Sequence, residues 1–115
     1  MAIFNMLSQN GGPTLLWTNP SPTANVADVT YELDLSSYSF VGIICKQSTA
    51  LDAYVPMSVV PIGARSQLIM LGDGQGTMKR EVWTTTSDVR FGRNATPGVE
   101  YHDDWNLPYQ IYGIK

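Results

Sequence analysis

A chain of 115 residues fits one domain able to bury roughly two thirds of its unfolded surface, and 43% hydrophobic with 15% charged residues excludes an intrinsically disordered chain. Seven Lys and Arg, scattered from Lys46 to Lys115, stand against ten Asp and Glu for a net charge of -3, so the electrostatic footprint of a nucleic-acid binder is missing. The opening MAIFNMLSQNGG carries no basic run, and no later stretch nears the ~20 apolar residues that cross a bilayer, so a soluble chain without an export signal or membrane insertion is expected.

Clusters of Gly, Pro, Asn, Asp, Ser and Thr interrupt the chain every eight to twelve residues or so, the spacing of short strands in a sandwich or barrel. The expected fold is all-β: an antiparallel, jelly-roll-like β-sandwich of about eight strands. AIFNML followed by SQNGGP reads as an N-terminal arm or short strand over residues 1–12, ahead of a single sandwich domain over 13–115. Candidate strands follow at 14–18, 26–35, 38–46, 54–62, 66–71, 78–86, 88–92 and 107–114. Ser36-Ser37 suggests one hairpin turn and GDGQG at 72–76 another, because glycine supplies the positive φ that tight turns require. Pro56 and Pro61 cannot donate to a ladder and place their strand at a sheet edge or bulge. NPSPTAN at 19–25 and GRNATPGVEYHDDWN at 92–106 are the longest stretches without strand character, and loops carry function on β scaffolds.

In DVTYELDL, Val29, Tyr31, Leu33 and Leu35 alternate with Asp28, Thr30, Glu32 and Asp34, as expected of a strand with one buried face. FVGIIC, at 40–45, breaks that rule by placing Phe40, Gly42 and Ile44 on one face and Val41, Ile43 and Cys45 on the other. A two-sheet sandwich covers only one face of each sheet from within. Either a curled edge, a loop or the arm lies over the second face, or a partner subunit does, with Val41 and Ile43 as the candidate interface residues. LIML at 68–71 has the same two-faced character.

Chemistry-bearing patterns are sparse. GDGQG lacks the Lys-Ser/Thr of a phosphate loop and no helix follows it, so it reads as a turn. His102 is the only histidine, no serine sits in a G-x-S-x-G elbow, and Cys45 lies inside an apolar strand, where burial raises a thiol pKa. A lone cysteine and histidine build neither a disulfide nor a metal site, and neither cofactor nor catalytic residues are expected. Asp103, Asp104, Glu100 and Glu81 are the carboxylates from which a glycan-cleaving pair would have to be drawn. Asn94-Ala95-Thr96 meets the glycosylation pattern only by its letters. Aromatic residues are more telling: Trp17, Tyr54, Trp83, Phe91, Tyr101, Trp105, Tyr109 and Tyr112 are more than a small core usually holds, and flat rings stack on sugars or anchor interfaces. Tyr101, Asp103, Asp104 and Trp105 form the best local candidate for a ligand site.

Two stretches carry a resemblance. TLLWTNPSPTANVADVTYELDLSSYSFVGIICK combines Leu-Trp-x-Asn, a Ser/Pro/Thr-rich loop, an alternating strand ending in Asp-Leu-Ser-x-Tyr, and an apolar strand. PYQIYGIK closes the chain. Together they resemble the ends of small structural proteins of tailed bacteriophages and prophages. The match covers about half of the chain, and residues 47–106 agree only in β character. The resemblance implies a non-enzymatic virion component made in the bacterial cytoplasm, either tail-associated or the head of a fibre. Such proteins are often homotrimeric, contact other virion proteins and bind host surface glycans. With about a dozen residues ahead of Leu-Trp, a stalk is not expected, which favours a small head that docks on something else. A stand-alone carbohydrate-binding module is the alternative.

Overall fold

The computed structural model describes residues 12–72, 76–98 and 100–115, with backbone only at 71 and 72, so the expected arm lies outside the described residues apart from Gly12. Eight strands are present: β1 (Thr14–Thr18), β2 (Val29–Glu32), β3 (Phe40–Ser48), β4 (Tyr54–Pro61), β5 (Arg65–Gly72), β6 (Gly76–Thr84), β7 (Asp88–Ala95) and β8 (Trp105–Ile114). They form two four-stranded sheets, ordered β1-β8-β3-β4 and β2-β7-β6-β5. Every pairing is antiparallel. The two sheets make an antiparallel β-sandwich in which β1 pairs with β8 and β2 with β7, while β3–β4 and β5–β6–β7 are neighbours in sequence as well as in their sheets.

Local chemistry explains most of this order. Val29, Tyr31, Leu33 and Leu35 all turn to the core, and Leu35 is fully buried. The β5–β6 hairpin pairs Gly72 with Gly76, whose φ of 75° is a backbone state glycine adopts without strain. β4, with Pro56 and Pro61, is an edge strand, where a missing N–H costs no ladder bond. Ser36-Ser37 is not a hairpin turn. Asp34 accepts from the Ser36 amide and hydroxyl at 3.1 and 2.6 Å, and the chain crosses there from the second sheet to the first.

β3 is the centre of the packing. Val41, Ile43 and Cys45 point between the sheets, where they meet Leu68, Val82, Val89, Phe91 and Ile111. Val41 is 0% and Ile43 1% exposed, so the two residues expected at a subunit interface are core residues. Alternation left the direction of β3 undecided, because both of its faces are apolar. The register decides it: Val41 lies opposite Val60, and Ile43 opposite the buried Ile111.

The outward face of the first sheet consequently carries the other half of FVGIIC. One row across all four strands reads Leu15, Tyr112, Gly42, Val59, and the next reads Ile114, Phe40, Pro61. Leu15, Phe40 and Val59 are 49%, 41% and 56% exposed. Gly42 leaves room for its neighbours to fold inward, since a Cβ there would lie 2.5 Å from Met57 Sδ and 3.2 Å from Ile114 Cδ1.

Residues of the Thr14–Lys46 stretch pack on one another and on the closing PYQIYGIK stretch. Trp17 packs on Tyr31 with ring centroids 4.3 Å apart, and Asn19 Nδ2 donates to Pro108 O at 2.9 Å. Tyr38 lies against Gly113, where a Cβ would sit 2.7 Å from three ring atoms. The last two are scaffold contacts between the two ends of the chain.

Candidate functional site

The outer face of the second sheet has the opposite chemistry. Its central row reads Thr30, Arg90, Trp83, Arg65 across β2, β7, β6 and β5. Outward positions come from simple alternation in TMKREVWT: Thr77, Lys79, Glu81 and Trp83 face out, while Met78, Arg80, Val82 and Thr84 face in and are buried. The basic residues that look scattered in the sequence are gathered here, with Arg65, Lys79, Arg90 and Arg93 on one face.

A groove of about 450 Å³ runs over this face, within the range of roughly 300–1,000 Å³ typical of small-molecule sites. Trp83, Tyr101, Lys79, Glu81, Gln67 and Arg93 are among its walls. The Trp83 ring lies across Gly92, where a Cβ would come within 3.2 Å of it. Arg65 and Arg90 guanidinium carbons stand 5.0 and 4.7 Å from the ring centroid, and Arg93 stands 3.7 Å from that of Tyr101. Three ion pairs hold these cations. Arg65 Nη2 donates to both Glu81 oxygens at 2.6 and 2.7 Å, Arg93 donates to Asp103 through Nε and Nη2 at 3.0 and 2.6 Å, and Arg90 is 3.7 Å from Asp28. The Asp103 carboxylate raises the Arg93 pKa by accepting these bonds.

The four residues expected to form a ligand site are thus divided. Tyr101 lines the groove and is half exposed. Asp103 stands behind it, orienting Arg93. Asp104 contributes a main-chain carbonyl to the Thr49 amide at 2.9 Å. Trp105 opens β8 in the first sheet opposite Ser48, away from the groove. Adjacent residues on an extended segment cannot all face one ligand, and β8 begins within this run. Trp83 was visible as an aromatic residue, but its neighbours Lys79, Gln67 and Arg93 come from three strands that only the register brings together.

Beneath the groove Arg80 is fully buried and has no carboxylate partner among the described residues. Its Nε donates to Asn106 O at 2.7 Å, Nη1 to Val26 O and Gly92 O at 2.7 Å each, and Nη2 to Trp105 O at 2.9 Å. Burial lowers its pKa to about 10, which leaves it charged at neutral pH. One side chain thereby ties the loop before β2, the floor of β7 and the start of β8. Asn106, held at φ 52°, completes the anchor by donating from Nδ2 to Leu68 O at 3.0 Å. The signal in the sequence was the phase of Arg80, which it shares with Met78 and Val82.

Cys45 and His102 are not among the residues lining the groove. Burial pushes the Cys45 thiol up to about 12. His102 is part-buried, with Nε2 4.0 Å from Glu100. Asn94 of the glycosylation pattern is fully buried and donates to His102 O at 3.0 Å, so the folded chain does not present it.

Comparison with protein-family models, with curated proteins and with solved structures gave no match.

Proposed function

We propose that this chain is a non-enzymatic structural protein of a bacteriophage virion, tail- or fibre-associated, which assembles through one outer face and meets the host surface with the other. The observation that carries the reading is the contrast between the two outer rows, Leu15-Tyr112-Gly42-Val59 against Thr30-Arg90-Trp83-Arg65. Exposed apolar surface of this kind marks association sites on soluble proteins. Full burial of an aliphatic or aromatic side chain is worth roughly 1.5–3 kcal/mol. With Leu15, Phe40 and Val59 about half exposed, covering the three offers on the order of 3 kcal/mol per subunit. A second copy of the chain is the occupant we assign to this face, in a closed symmetric oligomer. Three subunits is the number the phage-like pattern suggests.

The buried Cys45 and the engagement of Asp103 with Arg93 support a binding role rather than a catalytic one. The groove favours a second reading, a free-standing carbohydrate-binding module. Sedimentation velocity separates the two. A species well above the 12.7 kDa monomer is expected, and Val59→Glu, on an exposed position that folding does not need, should reduce it to a monomer. A wild-type chain that stays monomeric at micromolar concentration rules out assembly through this face and leaves the free-standing module.

A further inference from the structure

We propose that the groove on the second sheet binds a saccharide carrying an anionic group, with Lys79 meeting that group and Trp83 and Tyr101 flanking the sugar rings. The inference rests on the host-attachment half of the reading above.

The charge state of the groove leads to it. Four charged residues line the cavity: Asp28, Lys79, Glu81 and Arg93. Three are committed, Glu81 to Arg65 at 2.6 Å, Arg93 to Asp103 at 2.6 Å and Asp28 to Arg90 at 3.7 Å. Lys79 has no carboxylate within 4.0 Å among the described residues, so the unmatched charge on the cavity wall is positive. A ligand with one anionic group supplies its partner without breaking a pair already made.

The remaining walls suit a sugar. Trp83 and Tyr101, whose rings also carry the Arg65, Arg90 and Arg93 guanidinium groups, border the cavity with apolar ring atoms, and Gln67 and Thr96 offer amide and hydroxyl groups to sugar hydroxyls. The cavity is partly open to solvent, which gives a saccharide a way in. A polyanion such as nucleic acid fits poorly, because one uncommitted cation among the described residues of the cavity wall, on a chain of net charge -3, provides little counterion release. Gly92 is part of the site: any side chain there displaces the Trp83 ring, whose nearest atom would lie 3.2 Å from the new Cβ.

The test is a glycan array of neutral and acidic saccharides, followed by calorimetric titration of the best acidic ligand and of its carboxyl-reduced or desulfated form. Binding should be confined to acidic saccharides and weaken with salt. Lys79→Gln should weaken it about tenfold or more, the worth of one hydrogen bond to a charged group, while Lys79→Arg retains most of it. Lys79 is exposed, so an unchanged melting temperature verifies that both variants fold. Equal affinity for the neutralised ligand, or indifference to Lys79→Gln, overturns the role of the anionic group and leaves glycan attachment standing. An array with no bound saccharide overturns the glycan site altogether.

Discussion

Replacing Arg80 with Met removes a buried cation and keeps a side chain of similar length. Four main-chain carbonyls, those of Val26, Gly92, Trp105 and Asn106, then lose their donors. At about 1–3 kcal/mol for each buried group left unsatisfied, the gross loss is roughly 4–12 kcal/mol. Against this, the variant no longer desolvates a charge. The fall of the pKa from 12.5 to about 10 puts that relief at roughly 3 kcal/mol, taking ~1.4 kcal/mol per tenfold. A net destabilisation of about 1–9 kcal/mol is expected, centred on about 5 kcal/mol, a large part of the 5–15 kcal/mol typical of a domain. Urea unfolding followed by tryptophan fluorescence measures it. Arg80→Lys should recover little, because Arg80 uses Nε, Nη1 and Nη2 separately and a single ammonium cannot stand in all three places. An Arg80→Met chain as stable as wild type, or more stable, would falsify the role of this side chain as the anchor of the groove floor, because even the smallest loss from four unsatisfied carbonyls exceeds the relief.

Gly113→Ala places a Cβ 2.7 Å from the Tyr38 ring and should cost about 1–3 kcal/mol by thermal or urea unfolding, with Tyr38→Leu in the same chain recovering most of it; full stability of the single variant refutes the contact. The Tyr54 hydroxyl donates to Asp52 at 3.0 Å, and ionising it would set a phenolate beside a carboxylate, which holds its pKa up to about 12. Ultraviolet titration should show tyrosine ionisation extending to about 12, and Asp52→Asn should bring the Tyr54 share of it down toward 10.0, leaving Tyr31, which burial also raises; a titration unchanged by the substitution rejects the pairing.

Periodicity exposed the fold well where one face of a strand is polar. DVTYELDL announced its buried face, TLLWT became β1 over the expected residues, and the prolines of YVPMSVVP pointed to an edge strand. It failed where both faces are apolar. FVGIIC gives no polar residue to mark the outside, so its pattern leaves Val41 and Ile43 open as candidate interface residues, whereas in the structure they are buried in the core and Phe40 faces out. Ser36-Ser37 misled for a related reason, since a short polar turn reads alike whether it joins neighbours in one sheet or crosses between two. The candidate site was legible only in part. Tyr101 stands in the groove, but Lys79, Trp83 and Arg93 lie far from it in sequence or on another strand, and no local pattern encodes that meeting.

The division of labour between the two outer faces is most directly tested by titrating an acidic saccharide selected on the array into Val59→Glu. Calorimetry in free solution reads the affinity of each site and is blind to avidity. The groove lies on β5, β6, β7, the loop after β7 and Asp28 before β2, whereas Val59 lies on β4, on the outward face of the other sheet. The variant should therefore sediment as a monomer and bind with the affinity per chain of the wild type. Loss of binding together with loss of assembly, in a variant that still melts cooperatively, would contradict the separation and place the site between subunits.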